Sequence, residues 1–181
     1  MLTPHSAARY DLSTDLAIPL VAAEGLGALT PRAIGELAGC SRQAVHQWFG
    51  DQTGLRRAVA ARFTSRWIRW TDVRVYLYGV LGLLPDSSTV REWTRVWLSF
   101  IEAAPRDSYI ADCIAAGRSR EVEVITAQLG PTLADGVHAL VEGLRWRVAA
   151  SEDDYPPGRA AAVLASALAR VPPQDPLGRL A

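Results

Sequence analysis

The sequence predicts an all-α protein, a small three-helix segment at the N-terminus followed by a helical bundle. Three observations carry this. Apolar residues recur at three- and four-residue spacing through most of the 181 residues. Proline and glycine punctuate the chain at helix-length intervals. The single stretch rich in aromatic and β-branched residues, 67–84, has no second stretch with which to pair as a strand. The expected bounds are a loose tail over 1–10, a first domain over 11–50, a second over 51–175 and a tail over 176–181.

The first helix carries Leu16, Leu20, Val21 and Ala23 as its apolar face and ends at Gly25, with Pro19 inside it expected to kink it or delay its start. Thr30 can cap a second helix whose first position is Pro31, where the missing N–H costs nothing, and Ile34, Leu37 and Ala38 are then expected on its buried face. Gly39 supplies the left-handed turn that ends it, Cys40 fills a small apolar slot, and Ser41 caps a third helix from Arg42 to about Phe49. Asp51 can cap a fourth, through Leu55, Ala58, Val59, Arg62 and Phe63. The run 67–84 is expected to be helical, with a break near Thr71.

Pro85, Asp86, Ser87 and Ser88 read as a stop followed by a cap. Val90, Trp93, Val96, Trp97, Phe100 and Ile101 then mark an amphipathic helix. A shorter helix over 107–116, with Tyr109, Ile110, Cys113 and Ile114 together, is expected to close at Gly117, and another to follow over 119–129. Pro131 opens a long helix with Leu133, Val137, Leu140, Val141 and Leu144 on one face. A loop over 151–158 precedes a last helix over about 159–171, which Pro172 and Pro173 end.

The second and third helices carry the chemistry. On the third, Ala44, Val45 and Phe49 fall at core spacing while Arg42, Gln43, His46 and Gln47 project outward. A guanidinium suits guanine or phosphate and an amide suits adenine. A two-turn helix held at a steep angle by a three- to four-residue glycine turn has the helix-turn-helix geometry, which fits the major groove of DNA.

Residues 13–63 resemble the DNA-binding domain of the TetR family of bacterial transcriptional regulators. The resemblance lies in the order and spacing of AAEG at the end of the first helix, LTPRAIGELAGCS, RQAVHQWF and a capped fourth helix. It implies that Thr30 and Arg32 touch phosphate, that Ser41 caps the recognition helix, and that Arg42 and Gln43, with Gln47, read bases. It implies backbone contacts for His46 and Trp48, Trp48 being equally open to packing against the next helix. Gln52 stands where the family usually has a phosphate-binding lysine, so that contact is expected to be weaker.

The formal net charge is zero, but it is unevenly spread. Residues 1–70 hold eight arginines and five acids, net +3, and the remainder eleven arginines and fourteen acids, net −3. A basic first part beside an acidic second part suits a DNA-binding head on a body that stays off DNA. Cys40 and Cys113 lack metal or redox spacing and the three histidines are scattered, so neither a metal, a cofactor nor a disulfide is expected. No glycine-rich phosphate loop, nucleophile motif or paired acids argue for an enzyme. The N-terminus lacks a signal-peptide core and no apolar run spans a membrane, which predicts a cytoplasmic protein.

The aromatic residues Trp67, Trp70, Tyr76, Trp93, Trp97, Phe100, Tyr109 and Trp146 either pack as core or line a cavity for an apolar or aromatic small molecule. Family order implies dimerisation through the last two long helices, where Leu140, Val141 and Leu144 would meet Ala161, Leu164, Ala165 and Leu168. The expectation is a homodimeric repressor on a palindromic double-stranded operator. An effector bound in the body would shift the helix after Asp51 and move the two heads off the half-site spacing of about 34–36 Å. The alternative is a helical ligand-sensing or protein-interaction module that has lost sequence-specific DNA binding.

Overall fold

The structure, a computed structural model, describes residues 4–150 and 155–170, with residues 4–7 by backbone alone. Among these residues there are eight α-helices and no strand: α1 Pro4–Glu24, α2 Pro31–Ala38, α3 Arg42–Phe49, α4 Gln52–Tyr78, α5 Ser88–Ala103, α6 Ser108–Leu129, α7 Pro131–Ala150 and α8 Pro157–Leu168. Short 3-10 turns occupy Leu26–Ala28, Gly79–Leu83 and Ala104–Arg106. The expected tail over 176–181, Pro172, Pro173 and residues 151–154 of the expected loop lie outside the described residues.

Two compact units divide the chain, one made of the residues up to Trp67 with Arg95–Gly117, the other of Ile68–Thr94 with the residues from Arg118 on. Residues 11–50 thus fall inside the first unit, which also takes in the start of α4, the end of α5 and the start of α6. Its interior is Val21, Ile34, Val45, Leu55, Val59, Phe63, Trp67, Trp97, Phe100 and Ile110, all buried. The Trp67 and Trp97 indoles stack with centroids 4.9 Å apart and planes 3° from parallel. Offset stacks of this kind add about 0.5–1.5 kcal/mol to the apolar area that they bury.

In the second unit Val75, Val80, Leu83 and Leu84 pack with Ile125, Val137, Val141, Leu144, Val148 and Leu164. A polar cluster sits among them. Glu121, fully buried, accepts from Arg145 Nη1 at 2.7 Å on one oxygen, and its other oxygen lies 2.9 Å from His138 Nε2. Arg145 also donates from Nε to the Leu83 carbonyl at 2.7 Å. Burial pushes the Glu121 carboxyl up, but the Arg145 charge and the bond to His138 outweigh it and hold the group below its ordinary range.

Several boundaries differ from the sequence expectation. The first helix starts at Pro4, so residues 4–10 of the expected tail are helical, and it runs through Pro19 without interruption. Its buried face is Thr14, Ala17, Ile18 and Val21, at i, i+3, i+4 and i+7, whereas Leu16 and Leu20 are half-buried and Ala23 is exposed. Leu37 is 48% exposed, because α2 buries Ile34 and Gly35 instead. There is no break at Thr71, which is buried within α4. Gly117 does not end a helix; α6 passes through it.

Candidate nucleic-acid interface

Each bend of the segment from Thr30 to Gln52 is set by a local contact. Thr30 is extended, at φ −116° and ψ 150°, and its Oγ1 accepts from the Ala33 N–H at 3.1 Å. That bond satisfies one of the four amides that a helix start leaves open. At the other end Gly39 adopts φ 61° and ψ 39°, and the Cys40 N–H returns to the Gly35 carbonyl at 2.9 Å. A methyl group on Gly35 would stand 2.8 Å from the Cys40 carbonyl oxygen, so the tight approach of the turn to α2 requires glycine there. Ser41 Oγ then accepts from the Ala44 N–H at 3.1 Å and starts α3.

Helix α3 is anchored by Val45 and Phe49, both buried, while Arg42, Gln43, His46 and Gln47 are all exposed on its other side. The eight-residue helix therefore presents one guanidinium, two amides and an imidazole on a continuous polar face, with Ser41 exposed at its start. Trp48 is half-buried and meets the Phe49 ring edge-on at 6.3 Å. Arg32 is exposed on α2 and pairs with Glu36 at 2.9 Å, one turn along. Both side chains are open to solvent, so this contact offers weak competition for any phosphate that approaches.

Three groups that hold this surface were not foreseen. Tyr10 stacks on Phe49 with centroids 4.7 Å apart and planes 27° from parallel, and Arg9 Nη1 donates to the Gly39 carbonyl at 3.5 Å. Both lie in the region expected to be a tail; an aromatic next to an arginine, one helical turn before Thr14, is the signal that could have marked them. Gln52, expected as a weakened phosphate contact, donates from Nε2 to the Leu29 carbonyl at 2.8 Å and so ties the start of α4 to the residue before the α2 cap. Asp51 caps α4 as expected, its Oδ1 accepting from the Gly54 N–H at 2.8 Å.

The other expected sites are dispersed. Trp67, Trp97 and Phe100 are core of the first unit, and Trp93 is half-buried. Trp70 is half-buried in the second unit, its ring 5.8 Å from the Arg145 guanidinium. Tyr76 is 88% exposed, Trp146 60% and Tyr109 46%. Four surface cavities, of about 440 Å³ in the first unit and about 580, 450 and 450 Å³ in the second, have none of the eight on their walls. In the expected dimer seam Val141, Leu144 and Leu164 are buried within the second unit, which leaves Leu140, Ala161 and Leu168 half-buried and Ala165 exposed. Among the described residues no helix is long and apolar enough to cross a membrane.

The family model of the BetI-type transcriptional repressor, C-terminal region, matches residues 79–173, more than half of the chain. No curated protein sequence matches it. Among solved structures, a TetR-family transcriptional regulator from Rhodococcus sp. superposes with a TM-score of 0.70 at 20% identity, covering 90% of this chain and 97% of that one. A transcriptional regulator from Saccharomonospora viridis in complex with choline gives 0.76 at 16% identity, covering 91% and 97%. The multidrug binding protein EbrR complexed with proflavin gives 0.66 at 18% identity, covering 87% and 98%.

Proposed function

This chain belongs to the TetR family of transcriptional regulators, with a C-terminal region of the BetI type, and from that premise we propose that it is a homodimeric repressor that a small organic molecule releases from a palindromic operator. The observation that carries the reading is the polar face of α3, where Arg42, Gln43, His46 and Gln47 stand exposed on a helix anchored by Val45 and Phe49. In this reading Arg42 and Gln43, with Gln47, read base edges in the major groove. Thr30, Arg32, Ser41, His46 and Trp48 sit on the phosphates and set the register. Gln52 acts indirectly, through the Leu29 carbonyl.

The choline and proflavin complexes of the two structural neighbours support a small-molecule effector for this chain as well. Dimerisation uses the side of α7 and α8 that the chain leaves open: Leu140, Gly143 and Val163 border a surface hollow of about 450 Å³, and the largely exposed Trp146 lies beside them on α7. A second copy would cover that surface, which otherwise leaves a tryptophan in water.

The deciding experiment is binding of the purified protein to DNA from upstream of its own gene, by mobility shift across a salt series with random DNA as competitor. Selective binding that weakens steeply with salt, at two protomers per site, is the expected result. Failure to select any sequence at low salt, there and from a random library, would favour a sensing module without an operator.

A further inference from the structure

The first unit contains a second polar site, apart from the face of α3. Its cavity of about 440 Å³ is walled by the link after α1, the first turns of α4, the end of α5 and the start of α6. Five charged side chains reach it: Arg56, Arg57, Arg106, Glu102 and Asp107. One pair is internally neutralised. Arg57 Nε donates to both Asp107 oxygens, at 3.1 and 2.9 Å, and Asp107 also accepts from the Tyr109 and Ile110 amides at the start of α6. Those contacts hold the Asp107 carboxyl below its ordinary range, the Arg57 bond most of all.

Arg56 and Arg106 remain, with Glu102 as the other acid on the wall. No acidic side chain pairs with either arginine among the described residues, and Arg56 Nε is buried without a hydrogen-bond partner. A buried guanidinium nitrogen with no acceptor is costly, but Nε is closed to solvent, so an anion in the cavity would have to reach the terminal nitrogens of the guanidinium instead. The Thr53 hydroxyl lines the same cavity and adds a neutral donor. The volume lies within the range of small-molecule pockets, at about 300–1,000 Å³.

We propose that this cavity binds a small oxyanion, a carboxylate or phosphate held between the Arg56 and Arg106 guanidiniums, with Thr53 as a third donor. Arg56 belongs to α4 and Arg106 to the turn before α6, so the anion bridges two elements of the unit that also holds the recognition helix. The proposal does not rest on the effector reading above, and its test does not require an operator.

The test is isothermal titration of the full-length protein with acetate, benzoate and inorganic phosphate as separate probes at constant ionic strength. Saturable one-site binding of at least one probe is expected, and which probe binds separates a carboxylate from a phosphate. Arg56→Gln and Arg106→Ala should each weaken that binding about tenfold or more, the loss of one charge-assisted hydrogen bond. Glu102→Gln removes a like charge from the wall and should tighten it. Arg69→Gln, an exposed arginine of α4 outside the cavity, should leave it unchanged. Arg106 and Glu102 are themselves exposed, so these two variants report even if Arg56→Gln unfolds. Absence of saturable binding by the native protein at concentrations on the order of tens of millimolar would overturn the proposal. So would equal loss in Arg69→Gln, or binding indifferent to Arg106 and Glu102.

Discussion

Gly117 of α6 lies so close to the Trp97 indole that a methyl group on its α-carbon would stand 2.5 Å from Cη2 and 3.0 Å from Cζ3. Trp97 is 1% exposed and is stacked on Trp67, so it has no free direction in which to withdraw. The glycine is there to admit a ring.

Gly117→Ala should therefore destabilise the protein, although alanine is the better helix former by about 1 kcal/mol. Overpacking a rigid core costs about 1–3 kcal/mol, and the side that cannot relax decides the sign. The two atoms in question belong to the six-membered part of the indole, which phenylalanine places differently and with less reach. Trp97→Phe is destabilising by itself, but the double variant should be more stable than the sum of the two singles. Urea melts of the four proteins measure that coupling, and strict additivity would show that the clash relaxes elsewhere.

Glu121→Gln should cost about 3–5 kcal/mol, since it leaves the buried Arg145 guanidinium without its counter-charge. Glu121→Leu combined with Arg145→Met should cost far less than the two single changes added together, because no buried charge is then left over. The pH dependence follows from the direction of the Glu121 shift. Its carboxyl titrates lower in the folded protein than in the unfolded chain. The stability that it contributes is thus fully present above the unfolded value and is lost as pH falls through the folded one. Stability curves from about pH 3 to 6 should fall less steeply with acid in Glu121→Gln than in the native protein.

These two sites also show where sequence reading stops. Thr30, Gly39, Ser41 and Asp51 were legible because a cap or a left-handed turn involves partners within four residues. Gly117 read as a stop by the same local logic, yet its reason lies twenty residues upstream in a ring that only the fold brings near. Glu121, His138 and Arg145 carry no such local signal, because the partners that bury Glu121 lie 17 and 24 residues along the chain. His138 and Arg145 are spaced by seven and flanked by the apolar positions Val137, Val141 and Leu144, and that pattern could have marked them as buried. The polar face of α3 was legible because exposure alternates with Val45 and Phe49 inside one short helix. The expected dimer seam came from family order alone, and three of its apolar positions, Val141, Leu144 and Leu164, are claimed by the interior of the second unit.

Arg42→Ala should cost about 1–3 kcal/mol of operator binding, concentrated at one base position, whereas Arg32→Ala should weaken every sequence alike and lower the salt slope by about 1. Fluorescence anisotropy across a salt series on the native and single-base-changed operators separates the two patterns. Equal effects of both variants on all sequences would remove Arg42 from base reading.

Tyr10→Ala tests support rather than contact. The Tyr10 ring stacks on Phe49, which seats α3, so its loss should loosen the recognition helix and reduce affinity for operator and random DNA together. Deleting residues 1–10 should do the same, with the further loss of the Arg9 bond to the Gly39 carbonyl. Unchanged affinity in both variants would mean that Val45 and the Ser41 cap suffice to hold α3.

Gly143→Glu offers a clean test of the dimer. A methyl group at Gly143 would meet nothing within 4 Å, and the position is exposed in the middle of α7, so glutamate fits the isolated chain. It should even gain up to about 1 kcal/mol of helix propensity over glycine. Any loss of association therefore cannot be blamed on unfolding. If two copies meet across Leu140, Gly143 and Val163, in a hollow that Arg147 and Arg159 also line, facing symmetry places two bulky side chains where each glycine left room, and their volume opposes close contact. Sedimentation velocity should show a dimer for the native protein and a monomer of unchanged or higher melting temperature for the variant. Should the variant remain a dimer, the copies pair through another face, and the exposed Trp146 would need a different partner.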